Sequence, residues 1–235
     1  MKKNKIFIAC DTSNLNFVKK IIKQTKTKEL EIIPKFGLQF FYSQKGRKFL
    51  EYFDKEFFLD LKINDIKQTA ISAVDSLKDL KKCRYITVHA NGGLEMLKAV
   101  KKKAAETNKN LKVLGVTVLT SLNNKSLKEI GHTRSVEQLV LKQAGLIKKA
   151  GLHGIVLSAK EAKIVKKKYS NLFIVTPGIR LPGDKKDDQA RVVTPHEALY
   201  KNKVNAVVMG RSLIQGNIKN NIKKLVDHLS QWSRA

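Results

Sequence analysis

Three ionisable side chains stand where an apolar run should simply end: in Phe58-Leu59-Asp60-Leu61-Lys62-Ile63-Asn64-Asp65, two carboxylates flank one ammonium. Residues 56–62 read as a strand, so Asp60 and Lys62, two apart, project to the same face, and Asp65 falls at the start of the following helix. A cation held between two carboxylates is a fixed positive charge with a proton to give, set beside fixed negative charge. The competing reading is a plain ion pair at a strand end. Which of the two holds depends on what the rest of the chain places nearby.

The elements that must position these groups recur regularly. Short apolar runs occupy residues 5–11, 31–37, 56–62, 85–91, 112–119, 154–158, 172–178 and 206–213, with helical segments between them. Buried parallel strands read this way, rich in Val and Ile without polar alternation. Strict strand–helix alternation that closes at eight predicts an α/β fold, a (β/α)8 TIM barrel in a single domain spanning 1–235, rather than an open sheet. Local signals agree: Thr194-Pro195-His196-Glu197 is a capping box with proline at the first helical position, and Asn91-Gly92-Gly93 opens the helix after the fourth strand.

In such a barrel the C-terminal ends of the strands form one rim, and chemistry sits there. Asp11 ends strand one, Lys35 lies late in strand two, Asp60 and Lys62 end strand three, and Thr120 and Ser121 follow strand five. Isolated helix caps or ion pairs would scatter over both rims, so this gathering favours an active site. The last third of the chain supplies an anion site: Thr176-Pro177-Gly178-Ile179-Arg180 leaves strand seven and Gly210-Arg211 leaves strand eight. Loops at those two places often hold phosphate through backbone N–H groups and a nearby guanidinium.

Lys and Arg number 47 against 20 Asp and Glu, a net charge of +27. Such a charge raises nucleic-acid binding as a possibility. The lysines, however, fall in doublets and triplets such as Lys101-Lys102-Lys103 and Lys166-Lys167-Lys168 on nearly every predicted helix, and no stretch interleaves aromatic with basic residues as a base-stacking surface requires. The expectation is a solvated exterior that helps steer an anionic substrate, with no nucleic acid as partner. No apolar run approaches a membrane span and no signal peptide is evident at the N-terminus, which predicts a cytoplasmic protein with no membrane partner. Cys10 and Cys83, each beside a strand-like run, make neither a disulfide framework nor a cysteine metal site.

The assembled motifs resemble the orotidine 5'-phosphate decarboxylase family, in its bacterial type, along the whole chain. Asp60, Lys62, Asp65, Ile66 and Thr69 match its strand-three motif, Asp11 its first-strand aspartate, and Lys35 its second-strand lysine. Leu119-Thr120-Ser121, Thr176 to Arg180, Asp188-Gln189 with Arg191, and Gly210-Arg211 follow in the family's order. Two positions depart: Asn64 where bacterial members commonly carry histidine, and Ser212 where they carry proline after the terminal Gly-Arg. The most that Ser212 implies is poorer preorganisation of Arg211.

The resemblance implies loss of CO2 from orotidine 5'-phosphate to give UMP, without a cofactor or a metal. Lys62, Asp60, Asp65 and Lys35 are then the catalytic group. Asp11 and Lys35 contact ribose hydroxyls, Thr120 and Ser121 face the nucleotide near the base, and Arg180, Gln189, Gly210 and Arg211 hold the phosphate. The family's site forms at a homodimer interface, with Asp65, Ile66 and Thr69 reaching into the neighbour's pocket. The alternatives are a Mg2+-dependent sugar-phosphate decarboxylase of the same barrel group and a non-catalytic nucleic-acid-binding barrel.

Overall fold

The eight apolar runs become eight parallel strands: β1 (Lys5–Ala9), β2 (Glu31–Gly37), β3 (Phe57–Ile63), β4 (Cys83–His89), β5 (Lys112–Val116), β6 (Gly154–Val156), β7 (Phe173–Thr176) and β8 (Ala206–Met209). They pair in sequence order and β1 pairs with β8, closing the barrel. The structure, a computed structural model, describes residues 3–184 and 193–231. The second run matches its strand to the residue. The fifth and eighth, which read as far as 119 and 213, stop at Val116 and Met209. Apolar residues continue past both points for other reasons: Val118 lines a pocket, and Leu213 is buried from the short helix Arg211–Ile214.

Alternation along each strand divides the core into two. Phe7, Ile33, Phe58, Tyr85, Leu114, Val175 and Ala206, drawn from seven different strands, form one cluster that fills the barrel interior. Phe7 meets Phe58 and Tyr85 edge to face at centroid separations of 4.9 and 5.1 Å. Their neighbours in sequence, such as Ile6, Ile8, Leu59 and Ile86, face outward and pack with helix residues including Val18, Ile21 and Val100. Both faces of the sheet are therefore dry, which is why the strands read as continuous apolar runs.

Caps fix where the helices begin. The Asn14 side chain accepts from Phe17 N–H, Ser135 and Gln138 form a reciprocal capping box, and Asn217 accepts from Asn220 N–H. Thr194 Oγ1 accepts from Glu197 N–H at 3.2 Å, the N-cap half of the box expected there. After β4, a 3-10 turn at Ala90–Gly92 leads into the helix Gly93–Thr107, where Asn91-Gly92-Gly93 marked its opening. Among the described residues no helix is long and apolar enough to cross a membrane.

Candidate active site

Adjacent strands bring charges of alternating sign into contact at the C-terminal rim. Cys10 N–H donates to Lys35 O at 2.8 Å, so β1 stays laced to β2 just past its last paired residue and Asp11 follows beside it. Lys35 Nζ lies 3.1 and 3.0 Å from the two Asp11 oxygens and 3.3 Å from Asp60 Oδ2. Lys62 Nζ lies 2.8 Å from that same Asp60 oxygen. The sequence order Asp11, Lys35, Asp60, Lys62 is thus also the spatial order of the array. Asp11 is further held by Gly37 N–H at 3.0 Å, and a Cβ added at Gly37 would stand 2.4 Å from Asp11 Oδ1, so only glycine leaves room.

Asp60 and Lys62 do meet, but not by the regular pleat that a two-residue spacing assumes. On β3 the pairing jumps from Leu59↔Ile86 to Ile63↔Val88, leaving two extra residues on β3 as a bulge. Within it Lys62 takes φ +50°, a left-handed conformation that costs a non-glycine residue on the order of 1–3 kcal/mol. Lys62 N–H donates to Thr87 Oγ1 at 2.9 Å, and Thr87 Oγ1 donates to Asp60 Oδ1 at 2.9 Å. A β4 hydroxyl thus holds the bulged Lys62 backbone, while the Lys62 ammonium meets Asp60.

Burial works most strongly against charge on Lys35, whose side chain is 5% exposed, yet Asp60 and then Asp11 outweigh it and raise its pKa. Burial likewise opposes the Asp60 carboxylate most, but Lys35 and Lys62 together overcome it, aided by hydrogen bonds from Lys62 and Thr87. Asp60 therefore stays below the usual carboxylate range. Both ends of the array are accessible, the Asp11 side chain 48% and the Lys62 side chain 36% exposed. Burial first, and the Lys62 charge second, lower the pKa of His89 at the end of β4.

Asp11, Lys35, Asp60 and Lys62 form one wall of a pocket of about 550 Å³, within the range of small-ligand sites. Val116, Val118, Val156 and Val208 supply an apolar wall, Thr120 and Ser121 a polar edge, and Gly178, Arg180, Gly210 and Arg211 the rest of the rim after β7 and β8. Gly178 adopts φ +78°, and Arg180 is fixed beyond it: its N–H donates to Val193 O at 3.1 Å while Val193 N–H donates to Gly178 O at 3.3 Å. Ser212, which stands where bacterial members of the family commonly carry proline, makes its own side-chain contacts. Its Oγ accepts from Leu181 N–H at 2.9 Å and donates to the Asp184 carboxylate, tying the segment after Arg180 to the residue after Arg211.

Three expected residues stand outside this pocket within one chain. Asp65, Ile66 and Thr69 are exposed, Ile66 by 72%, and Asp65 Oδ1 accepts only the neighbouring Ile66 N–H, at 2.7 Å, so it does not flank Lys62 in its own chain. Gln189, with Asp188 and Arg191, lies outside the described residues. Sequence reasoning missed Thr87, Gly37 and the valine wall. A threonine between Ile86 and Val88 in a buried run was the available signal for the first, while the other two depend on which residues face each other across the barrel.

A closed parallel barrel with charges of alternating sign on its C-terminal rim, lining one pocket together with two arginines, defines a barrel enzyme site shaped for an anionic ligand. Comparison with known proteins narrows the class. The family model for the orotidine 5'-phosphate decarboxylase / HUMPS family matches residues 4–224. An orotidine 5'-phosphate decarboxylase of Wolbachia sp. subsp. Brugia malayi is 37% identical over 226 residues, covering 95% of this chain and 97% of the relative. One from Fusobacterium nucleatum is 38% identical over 220 residues, covering 92% and 90%. The crystal structure of orotidine 5'-phosphate decarboxylase from Lactobacillus acidophilus superposes with a TM-score of 0.79 at 26% identity, covering 97% of this chain and 99% of that one. The chain belongs to the orotidine 5'-phosphate decarboxylase / HUMPS family.

Proposed function

We propose that the protein decarboxylates orotidine 5'-phosphate to UMP in pyrimidine nucleotide synthesis, in the cytoplasm and as a homodimer. The observation that carries this reading is the contiguous Asp11–Lys35–Asp60–Lys62 array opening on a pocket whose far rim holds Arg180 and Arg211. Breaking the bond between C6 and the carboxylate releases CO2 and leaves an electron pair in an orbital that the ring cannot delocalise. Lys62 stabilises that pair by charge and then transfers its proton to C6, completing UMP. Asp60 lies beside the departing carboxylate and disfavours the bound ground state, but the larger contribution is the preorganised ammonium. Lys35 holds Asp60 ionised and, with Asp11, meets the ribose hydroxyls. Thr120 and Ser121 lie near the base.

Arg180, Gly210, Arg211 and Gln189 take the phosphate, whose binding energy is used to orient a reacting carbon far from it. The exposure of Asp65, Ile66 and Thr69 supports their acting in trans, Asp65 completing the array beside the partner's lysine.

The rival reading is a Mg2+-dependent sugar-phosphate decarboxylase of the same barrel group. Asp60 favours the proposal: its oxygens face two ammoniums and a hydroxyl, a set that suits a fixed charge array rather than a cation ligand. The test is spectrophotometric turnover of orotidine 5'-phosphate with and without EDTA. Equal rates support it, and loss of turnover on chelation overturns it.

The crowding at Gly37 gives a second test. Gly37→Ala must displace the Asp11 carboxylate, and turnover is expected to fall by about 10- to 100-fold, the scale of a small misplacement in a preorganised site. Gly37 has φ −92°, which alanine tolerates, so little stability should be lost. A variant within about twofold of wild type would show that Asp11 can shift without consequence.

A further inference from the structure

We propose that Thr87 is a positioning residue for the reaction: its buried hydroxyl clamps the bulge of β3 and turns the Asp60 carboxylate so that a single oxygen, Oδ2, serves both lysines. The inference rests on the reading that Asp60 and Lys62 act on orotidine 5'-phosphate.

Because the ladder to β4 skips from Leu59 to Ile63, the backbone N–H of Lys62 has no strand partner, and Thr87 Oγ1 is its acceptor at 2.9 Å. An ionised carboxylate only accepts, so the Thr87 proton must point at Asp60 Oδ1, 2.9 Å away. One hydroxyl thus fixes both the left-handed Lys62 backbone and the rotation of Asp60. Asp60 Oδ2 is left to Lys35 at 3.3 Å and Lys62 at 2.8 Å.

Thr87 is fully buried between Ile86 and Val88, where a valine would suit the strand and the packing equally well. The hydroxyl is therefore not explained by the barrel core. What it adds is the link between β4 and the two reacting side chains. The charged and titratable groups around Asp60 are Lys35 on β2, Lys62 on β3, Asp11 across Lys35 beyond β1, and His89 farther along β4 beside Lys62.

The experiment compares wild type, Thr87→Val and Thr87→Ser. Thr87→Val is expected to lower kcat by about 10- to 100-fold, the loss of one charge-assisted hydrogen bond. KM and affinity for UMP should stay within about threefold. Removing a donor that stabilises the charged form raises the Asp60 pKa, so the acid limb of kcat moves to higher pH. Thr87→Ser, which keeps the hydroxyl, should restore kcat to within about threefold of wild type. Independently of any turnover, hydrogen exchange at the Lys62 amide should quicken by about tenfold or more in Thr87→Val and not in Thr87→Ser.

Unchanged kcat, acid limb and Lys62 exchange in Thr87→Val would overturn the proposal. So would a parallel loss of kcat and UMP affinity shared by the serine variant, which is the pattern of a general structural defect. Wild-type protein that releases no CO2 from orotidine 5'-phosphate would overturn the parent reading instead, and Lys62 exchange would still decide whether the clamp exists.

Discussion

Lys62→Ala is expected to turn over orotidine 5'-phosphate at least about 10⁴-fold more slowly than wild type, about 5.5 kcal/mol of transition-state stabilisation, while still binding UMP. Two roles are lost together: the charge that meets the electron pair at C6, and the proton that follows. Neither acts on the ribose or the phosphate, so product affinity should hold within a few-fold. Alanine meets the left-handed backbone at position 62, φ +50°, on the same terms as lysine, and Asp60 keeps Lys35 and Thr87 as partners, so the fold is not expected to be disturbed. Activity within about tenfold of wild type in a folded Lys62→Ala protein would remove Lys62 from the chemistry and the proposed reaction with it.

The second large effect is a recovery. If Asp65 of one subunit completes the pocket that holds Lys62 of the other, Lys62→Ala and Asp65→Ala homodimers are both nearly inactive, because every site in each lacks one group. Mixing them with subunit exchange makes hybrids in which one pocket collects both lesions and the other neither. Half the dimers are hybrids at random exchange and half their sites are intact, so roughly a quarter of wild-type activity should return. The exposure of Asp65, whose one hydrogen bond among the described residues is from the adjacent Ile66 N–H, motivates the experiment. A mixture that stays inactive after verified exchange would place Asp65 in cis or show that the active unit is not this dimer.

How far the site is legible in the sequence varies residue by residue. Asp11, Lys35, Asp60 and Lys62 are legible because each reads near the C-terminal end of an apolar run, and those ends share one rim in a parallel barrel. Arg180 and Arg211 are legible for the same reason, following the seventh and eighth strands. Strand counting says nothing of the means by which Asp60 and Lys62 meet: alternation puts them on one face, whereas the chain uses a two-residue bulge and a left-handed lysine. A bulge is set by what the neighbouring strand offers, here the Thr87 hydroxyl, and that partner lies 25 residues away in sequence.

The sequence by itself determined the alternation of strand and helix, the dryness of both sheet faces and the list of charges at the rim. These follow from local periodicity and from the burial that closure imposes on every strand. Only the tertiary structure decided that Lys35 lies between two aspartates, that Gly37 must lack a side chain for Asp11 to fit, and that Ser212 ties the segment after Arg180 to the segment after β8. It also decided that Lys62 pairs with Asp60, while Asp65 of the same chain accepts from the neighbouring Ile66 N–H. Each of the first three is a distance between atoms remote along the chain, and such distances are fixed by strand register and barrel closure rather than by any residue's own neighbours.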